Sequence, residues 1–415
     1  MIKKDVLIIG AGPAGIFTGI NIDGGKLDTV ILEKNSSAGK KLLISGGGQC
    51  NITHSGNISD FLDKYGDKKR YIRNVLYGFT NEDLVEFFRK RGLEMKTEES
   101  GKIFPKTRKA EDILNILLNE LKKNNVEVEY NTQVLDVEYE DMIEKYIVKT
   151  SGKNYEAKNL VIAVGGKSYP NTGSTGDGFT IAKKLGHKVV KPKLALTPIY
   201  IKVYPFKDLS GISINVSLSL WRESKKIKET TGDMLFTHIN LSGPVVLDFS
   251  RYVNPGDVLK INFLTDKNKE FFRKEVIASL QNYGSKHIKT FISDLDIPNR
   301  LGEKIIEISE IKKDKICAEI TKEQREKLIK NLIEMSLTVD RLGDYHLAMV
   351  TAGGVDLSHI NRKTMESKLI KNLYFAGEVM DIDGDTGGYN IQWAFSSGYA
   401  VGKSIHLFLF CFYFY

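Results

Sequence analysis

The stretch KKDVLIIGAGPAGIFTGI, residues 3–20, decides the fold. Val6 to Ile9 read as a short apolar strand, and Gly10, Gly12 and Gly15 follow it at the spacing of a strand–turn–helix nucleotide motif. Gly10 permits the tight turn, Gly12 lets backbone approach a pyrophosphate, and Gly15 lets the helix pack close to the sheet. The helix N-terminus then faces two negative phosphates. DTVILEK (28–34) supplies a second strand ending in Glu33. A carboxylate there can accept hydrogen bonds from both ribose hydroxyls and repels a 2′-phosphate. Together these features point to a dinucleotide site. FAD and NAD share this adenosine-side grammar. The later chain does not look like the second mononucleotide unit that a simple nicotinamide dehydrogenase would add to the same sheet.

Outward from this motif, LLISGGGQCNITHSG (42–56) holds the chain bare around its first cysteine. Residues 82–91 and 111–123 have helical periodicity, and VEVEYNTQVLDVEYE and KYIVKTSGKNYEAKNLVIAVGG read as strands, with SGKN as a hairpin connection. NLVIAVGG breaks at Gly165 and Gly166 into KSYPNTGSTGDG, a loop read as a second backbone approach to the cofactor. From about residue 191 the texture changes to alternating, antiparallel-type strands, and residues 268–331 are mainly helical and lysine-rich, with breaks at NYGS and DIPNRLG. Strand-like EMSLTVDRL and YHLAMVTAGGV return before NLYFAGE, a strand ending at an acid, and IQWAFSSGYAVGKSI, a helix with small residues on one face.

The expected organisation is a first part of the dinucleotide domain over 1–190 and an inserted β-rich domain over 191–266. A helical subdomain over 267–331 and return strands over 332–354 follow. The dinucleotide domain closes over 355–404, before an apolar tail at 405–415.

At 415 residues, 41% hydrophobic and 27% charged, the composition is that of a folded soluble protein. The net charge of +8, from 60 basic against 52 acidic residues, reads as a lysine-rich solvated surface, because no nucleic-acid motif accompanies it. No nucleic-acid partner is therefore expected, and a small-molecule substrate is. Cys50, Cys317 and Cys411 are too scattered for a disulfide framework or a zinc site and fit a reducing cytoplasm. The tail SIHLFLFCFYFY is too short for an ordinary spanning helix. It is open to reading as a buried final helix, a weak membrane or partner contact, or an aberrant end of the reading frame.

The sequence resembles the HI0933-like flavoprotein family over residues 1 to about 404. The motifs that carry the resemblance are GAGPAG, GKKLLISGGGQCNITH, GKIFPKTRKA, GGKSYPNTGSTGDG, VTAGGV and NLYFAGEVMDIDGDTGGYNIQWAFSSGYAVG. It implies an α/β fold: a Rossmann-like FAD-binding domain with an inserted β-barrel-like domain and a small helical domain. It also implies that Gly10, Gly12, Ala14 and Gly15 surround the pyrophosphate, with Glu33 and Lys34 near the adenosine ribose. Lys41 and Leu42 would lie by the phosphates and ribityl chain, and Val134 would present backbone to adenine. Gly165 would line the cleft, Gly377 and Glu378 the ribityl side, and Gly388, Tyr389, Asn390 and Ile391 the flavin edge. Gly46, Gly47 and Gly48 would let main chain pass close to the flat flavin ring, with Cys50 and Asn51 beside it. Cys50 has no CxxC partner, so a packing or lining role is favoured over a redox disulfide. Gln49 stands where many members carry arginine, which removes a permanent charge.

The expected activity is an FAD-dependent oxidoreductase moving a hydride through flavin N5. The leading form is a reductase or dehydrogenase of a small organic or steroid-like substrate with NAD(P)H as a possible reductant. An oxygen-dependent oxidase of aminoacetone or a related amine, and a flavin-containing nucleic-acid or cofactor-modifying protein, are the alternatives. No general acid or base is assigned by the sequence; Tyr345, His346 and Tyr389 are possible donors. No metal site is expected.

Overall fold

A computed structural model describes residues 1–265 and 269–410. Side chains at 269 and 406–410 and all of 411–415, and with them Cys411 and most of the apolar tail, lie outside the described residues. The chain divides into two compact units, one of residues 1–193 and 349–415 and one of residues 194–348.

The first unit is built on a mixed sheet. β1 (Ile2–Ile9) is followed by α1 (Pro13–Asn21) and β2 (Thr29–Leu32). β1 lies between two parallel neighbours, β2 and the strand Tyr155–Ile162. Val6, Leu7, Ile8, Val30 and Ile31 are wholly buried, as strands covered on both faces must be. The strands Lys145–Thr150 and Val134–Glu140 extend one side antiparallel, while Leu373–Phe375 joins Tyr155–Ile162 in parallel. The terminal helix Tyr389–Phe410 packs on α1 through its glycines. A Cβ at Gly398 would lie 2.5 Å from the Ala14 carbonyl oxygen, and one at Gly402 2.7 Å from the Asn21 Cβ. The small-residue face of that helix is therefore the face that meets α1.

The second unit is a closed six-stranded barrel with a helical layer. Around the barrel run Ile199–Ile201, Leu241–Ser242, Lys225–Phe236, Ser213–Arg222, Val258–Asn262 and Met335–Leu342. The long hairpin turns at Glu223 and Ser224, both left-handed (φ 48° and 64°), the geometry of a tight two-residue connection. Inward residues Val216, Leu218, Leu220, Leu259 and Ile261 join one buried core with Leu301, Ile305, Leu328 and Leu332 of the helices.

Two expectations need correction. The return segment does not stay with the barrel to residue 354: Val350–Val355 pairs with Val189–Ala195, and the first unit resumes at Met349. Paired glycines explain the switch. At Gly353 (φ +85°) a Cβ would lie 2.6 Å from the Lys191 carbonyl oxygen, so only a bare backbone fits this pairing. The run DIPNRLG is also not wholly a break, since the helix Asn299–Ile308 starts within it behind Pro298. Gly302 lies inside that helix, where a Cβ would come 2.3 Å from the Ile292 Cγ2.

Candidate functional site

The carboxyl end of β1 gathers the first group of candidate residues. Gly10 is left-handed (φ +102°), and a Cβ on it would lie 2.7 Å from the Ala163 carbonyl oxygen. At Gly15 a Cβ would come 2.0 Å from the Gly10 carbonyl oxygen, so this glycine lets α1 close on the turn. Gly12 is different: a Cβ there meets no atom within 4 Å, which leaves space beside the first turn of α1. Amides in that turn have no partner within the helix and carry its positive dipole end. Glu33 is buried and fixed, with Oε2 accepting from the Ala11 amide at 2.9 Å and Oε1 from the Asn35 amide at 2.8 Å. Chain on either side of Tyr130 frames it: the Glu33 amide donates to the Glu129 carbonyl, and the Thr132 amide donates to the Glu33 carbonyl. The strand opening at Val134 continues from there.

Lys34 does not point freely from this end. Its Nζ donates to Thr175 Oγ1 and Asp177 Oδ2, both at 2.6 Å, while Asn35 Nδ2 donates to the Thr172 carbonyl at 3.1 Å. The loop after Gly165 thus folds onto residues 34–35.

A polar knot forms the middle of the site. Lys41 Nζ donates to Glu378 Oε2 at 2.7 Å and to Ser168 Oγ at 2.6 Å. Glu378 Oε1 accepts from Ser168 Oγ at 3.0 Å and from the Thr351 amide at 2.8 Å. A Cβ at Gly166 would lie 2.4 Å from Thr351 Oγ1 and 2.8 Å from Glu378 Oε1, so the knot closes only over a glycine. Gly165 (φ +74°) turns the chain into it, and Leu42 is buried behind Lys41. Gly377 brings the last motif to the first: a Cβ on it would sit 2.9 Å from the Ala14 Cβ. Its carbonyl accepts from Trp393 Nε1 and its amide donates to Ser397 Oγ. Ser168 and Thr351 were not singled out from the sequence, although both stand inside quoted motifs.

The third group surrounds the bare loop. Gly46, Gly47 and Gly48 are all left-handed, at φ +56°, +66° and +86°. A Cβ at Gly47 would meet nothing within 4 Å, and one at Gly48 nothing closer than 3.8 Å. Asn51 Oδ1 accepts from the Ile103 amide at 3.2 Å, tying the loop to the strand Lys102–Pro105. The chain then reaches Thr53, which Gly388 approaches closely from the end of the chain: a Cβ on Gly388 would be 2.6 Å from the Thr53 carbonyl oxygen. Tyr389 stacks on His54 with centroids 5.2 Å apart and 17° between planes, and its carbonyl accepts from Tyr65 Oη at 2.7 Å. Asn390 clamps the preceding loop, accepting from the Gly384 amide and donating to the Gly384 carbonyl at 2.8 and 2.9 Å. Ile391 is half-buried beside it. His54 and Tyr65 were not singled out from the sequence, although His54 stands inside a quoted motif; their contacts with Tyr389 come from more than three hundred residues away.

Gln49 is not left without a charge nearby. Arg108 Nη1 donates to its Oε1 at 3.2 Å while Nη2 donates to Glu98 at 2.7 Å, and the guanidinium lies 4.4 Å from the Phe104 ring centroid. Tyr345 and His346 belong to the second unit; burial raises the Tyr345 phenol, and His346 is exposed.

Cys50 is completely buried, and burial pushes its thiol up to about 12, a hydrogen bond with Ser45 opposing the shift. It is a thiol rather than a thiolate at neutral pH, the unreactive form. Native protein at pH 8 should therefore resist alkylation at Cys50 until it unfolds, and Cys50→Ser should change the rate of flavin photoreduction less than about twofold. Peptide mapping after iodoacetamide treatment and anaerobic photoreduction check this; rapid native labelling, or a severe reduction defect, would restore a redox thiol.

These features suit a long dinucleotide. Gly12 and Gly47 leave open space where side chains would stand, a helix dipole faces one end, and a fixed acid ends the second strand. Among the described residues no cluster of metal-ligating side chains occurs, and no helix is long and apolar enough to cross a membrane.

Comparison with known proteins agrees. The family model described as the HI0933-like protein Rossmann domain matches residues 4–404. The chain is 33% identical over 404 residues to the ribosomal RNA dihydrouridine synthase of Haemophilus influenzae, covering 96% of this chain and 98% of the relative. It is 30% identical over 407 residues to the Escherichia coli protein of the same name, covering 98% of each. To the 3-dehydro-bile acid delta(4,6)-reductase of Clostridium scindens it is 29% identical over 405 residues, covering 96% and 98%.

Proposed function

The chain belongs to the HI0933-like family of FAD-dependent oxidoreductases, and from that premise we propose that it reduces a carbon–carbon double bond conjugated to a carbonyl, the bond being that of a uridine base in RNA. The observation that carries this reading is similarity along nearly the whole chain to two relatives named as ribosomal RNA dihydrouridine synthases. The bile acid reductase supports the same bond chemistry, since its name also denotes reduction of double bonds conjugated to a ketone.

FAD, when bound, would supply the hydride chemistry, with an external two-electron donor of the NAD(P)H class as the source of the electrons. Reduction adds that hydride to the carbon β to the carbonyl and a proton to the α carbon, so two electrons and two hydrogens enter the substrate. The chain's part is placement. Gly10, Gly12, Ala14 and Gly15 with the start of α1 would hold the pyrophosphate, and Glu33, pre-set by Ala11 and Asn35, would accept from the ribose. The Val134 backbone would meet adenine, and Lys34, tied to Thr175 and Asp177, would border the ribose. Lys41, Leu42, Gly165, Gly377 and Glu378 border the phosphates and ribityl chain, where the Lys41–Glu378 pair offers both a donor and an acceptor. Gly46, Gly47 and Gly48 would leave a floor without side chains for the flat ring, backed by Cys50 and Asn51. Gly388 to Ile391 meet its edge at the start of a helix, where the dipole favours negative charge.

A steroid-like enone is the second reading, favoured by the bile acid relative. Purified protein should release one FAD per chain on denaturation. Under anaerobic conditions with NADH or NADPH, it should convert uridine in an unmodified ribosomal RNA transcript to dihydrouridine, read as a mass gain of two hydrogens after nucleoside digestion. Reduction of a 3-oxo-4,6-diene bile acid with the RNA unchanged would move the substrate to the steroid class. Peroxide formation from aminoacetone, with both enones untouched, would overturn the reductase reading.

A further inference from the structure

One surface of the first unit departs from the lysine-rich pattern of the rest. The helix Lys69–Gly78 buries Ile72, Val75 and Leu76, which leaves Arg70, Arg73 and Tyr77 exposed on its other side. The Arg70 guanidinium lies 4.8 Å from the Tyr71 ring centroid and donates to the Tyr71 hydroxyl at 2.8 Å. Arg362, from a loop almost three hundred residues later, lies 4.8 Å from the same ring. Arg73 stands 5.7 Å from the ring of Tyr77, which is 47% exposed.

The charges on this face are not neutralised. Lys68 and Lys69 are paired with Asp381 and Asp63, but among the described residues no carboxylate forms an ion pair with Arg70, Arg73 or Arg362. A folded surface with no anionic partner for its arginines gains nothing from clustering them, since like charges repel. An arginine laid on a tyrosine ring keeps edge donors for a phosphate, and an exposed ring offers a face on which a base can stack.

We propose that this face, Arg70, Tyr71, Arg73, Tyr77 and Arg362, docks the phosphate backbone of RNA. The inference rests on the reading of the substrate as RNA and adds where that substrate is held. The face is joined to the candidate site through the turn before the helix, where Tyr65 donates to the Tyr389 carbonyl and Lys68 pairs with Asp381.

The test compares full-length, FAD-loaded wild type with Arg73→Gln/Arg362→Gln and with Tyr77→Ala. A labelled, uridine-rich single-stranded RNA is titrated by fluorescence anisotropy over a salt series. Removing two phosphate contacts should weaken binding by about tenfold at low salt and flatten the plot of log affinity against log salt by about 1.4. Tyr77→Ala should weaken binding to single-stranded RNA more than to duplex. FAD content, circular dichroism and anaerobic photoreduction should stay at wild-type values. Arg362→Gln alone, outside the helix, serves if the double variant does not fold. Unchanged affinity and salt slope would overturn the docking surface. So would a wild type that binds no RNA, or that holds polyaspartate as tightly as RNA. RNA binding lost in the variants, with no dihydrouridine formed by wild type, would support the surface while removing the proposed reaction. Dihydrouridine formed by the variants at the wild-type rate, at subsaturating RNA, would remove the surface and keep the reaction.

Discussion

Gly47→Val is expected to give a folded protein that still binds ADP but holds its flavin poorly, with a shifted absorbance spectrum and slow photoreduction. Two effects combine. The backbone at Gly47 is left-handed (φ +66°), where a β-branched residue is an outlier and costs about 1 to 3 kcal/mol in the folded state. The valine also projects into the space that Gly47 leaves open, where no protein atom lies within 4 Å to collide with it. The collision expected is with the cofactor. Overpacking of that kind costs about 1 to 3 kcal/mol, a roughly 5- to 150-fold loss of FAD affinity. Gly47→Ala, with less bulk, should be intermediate. ADP binding by calorimetry should be unchanged, because the adenosine end is built by β1, α1 and Glu33. A normal flavin spectrum and reduction rate in Gly47→Val would mean that the bare loop does not approach the ring.

Gly15→Ala acts on the protein itself. Its added Cβ would be placed 2.0 Å from the Gly10 carbonyl oxygen and 3.4 Å from the Ala163 Cβ. Gly10 cannot move aside easily, because its own Cβ position is closed by the Ala163 carbonyl. α1 must therefore lift from the turn, and the terminal helix packed on it through Gly398 and Gly402 is disturbed as well. A loss of about 2 to 4 kcal/mol is expected, with little soluble holoprotein. Gly12→Ala is the control: its Cβ meets nothing within 4 Å and its φ of −84° suits any residue, so the fold should survive while FAD retention falls. Denaturant melts and FAD content separate the two. Wild-type stability in Gly15→Ala would show that α1 does not need this close approach.

The parts of the architecture that the sequence by itself determined are those governed by local spacing. A strand, three glycines and a helix occupy twenty residues, and the acid of β2 follows within one βαβ step, so short-range backbone geometry leaves few alternatives. Alternation over residues 213–222 and 258–262 likewise specifies antiparallel strands with one buried face, because a one-residue slip would turn every inward Val and Leu to solvent. The glycines of the terminal helix were visible as a small-residue face before their partner, α1, was known. Tertiary structure alone decided which distant side chains meet. Lys41, Ser168, Thr351 and Glu378 form one knot from four separate stretches, and the sequence supplied the Lys and Glu without showing that they pair. Arg108 arrives beside Gln49 across 59 residues, and Arg362 reaches Tyr71 from another part of the chain. Val350–Val355 pairs with Val189–Ala195 and not with the barrel because a bare Gly353 admits that approach, a choice its strand-like run does not encode. Backbone propensity acts over a few residues, whereas these contacts exist only after long loops have closed and the packed elements have fixed where each side chain can reach.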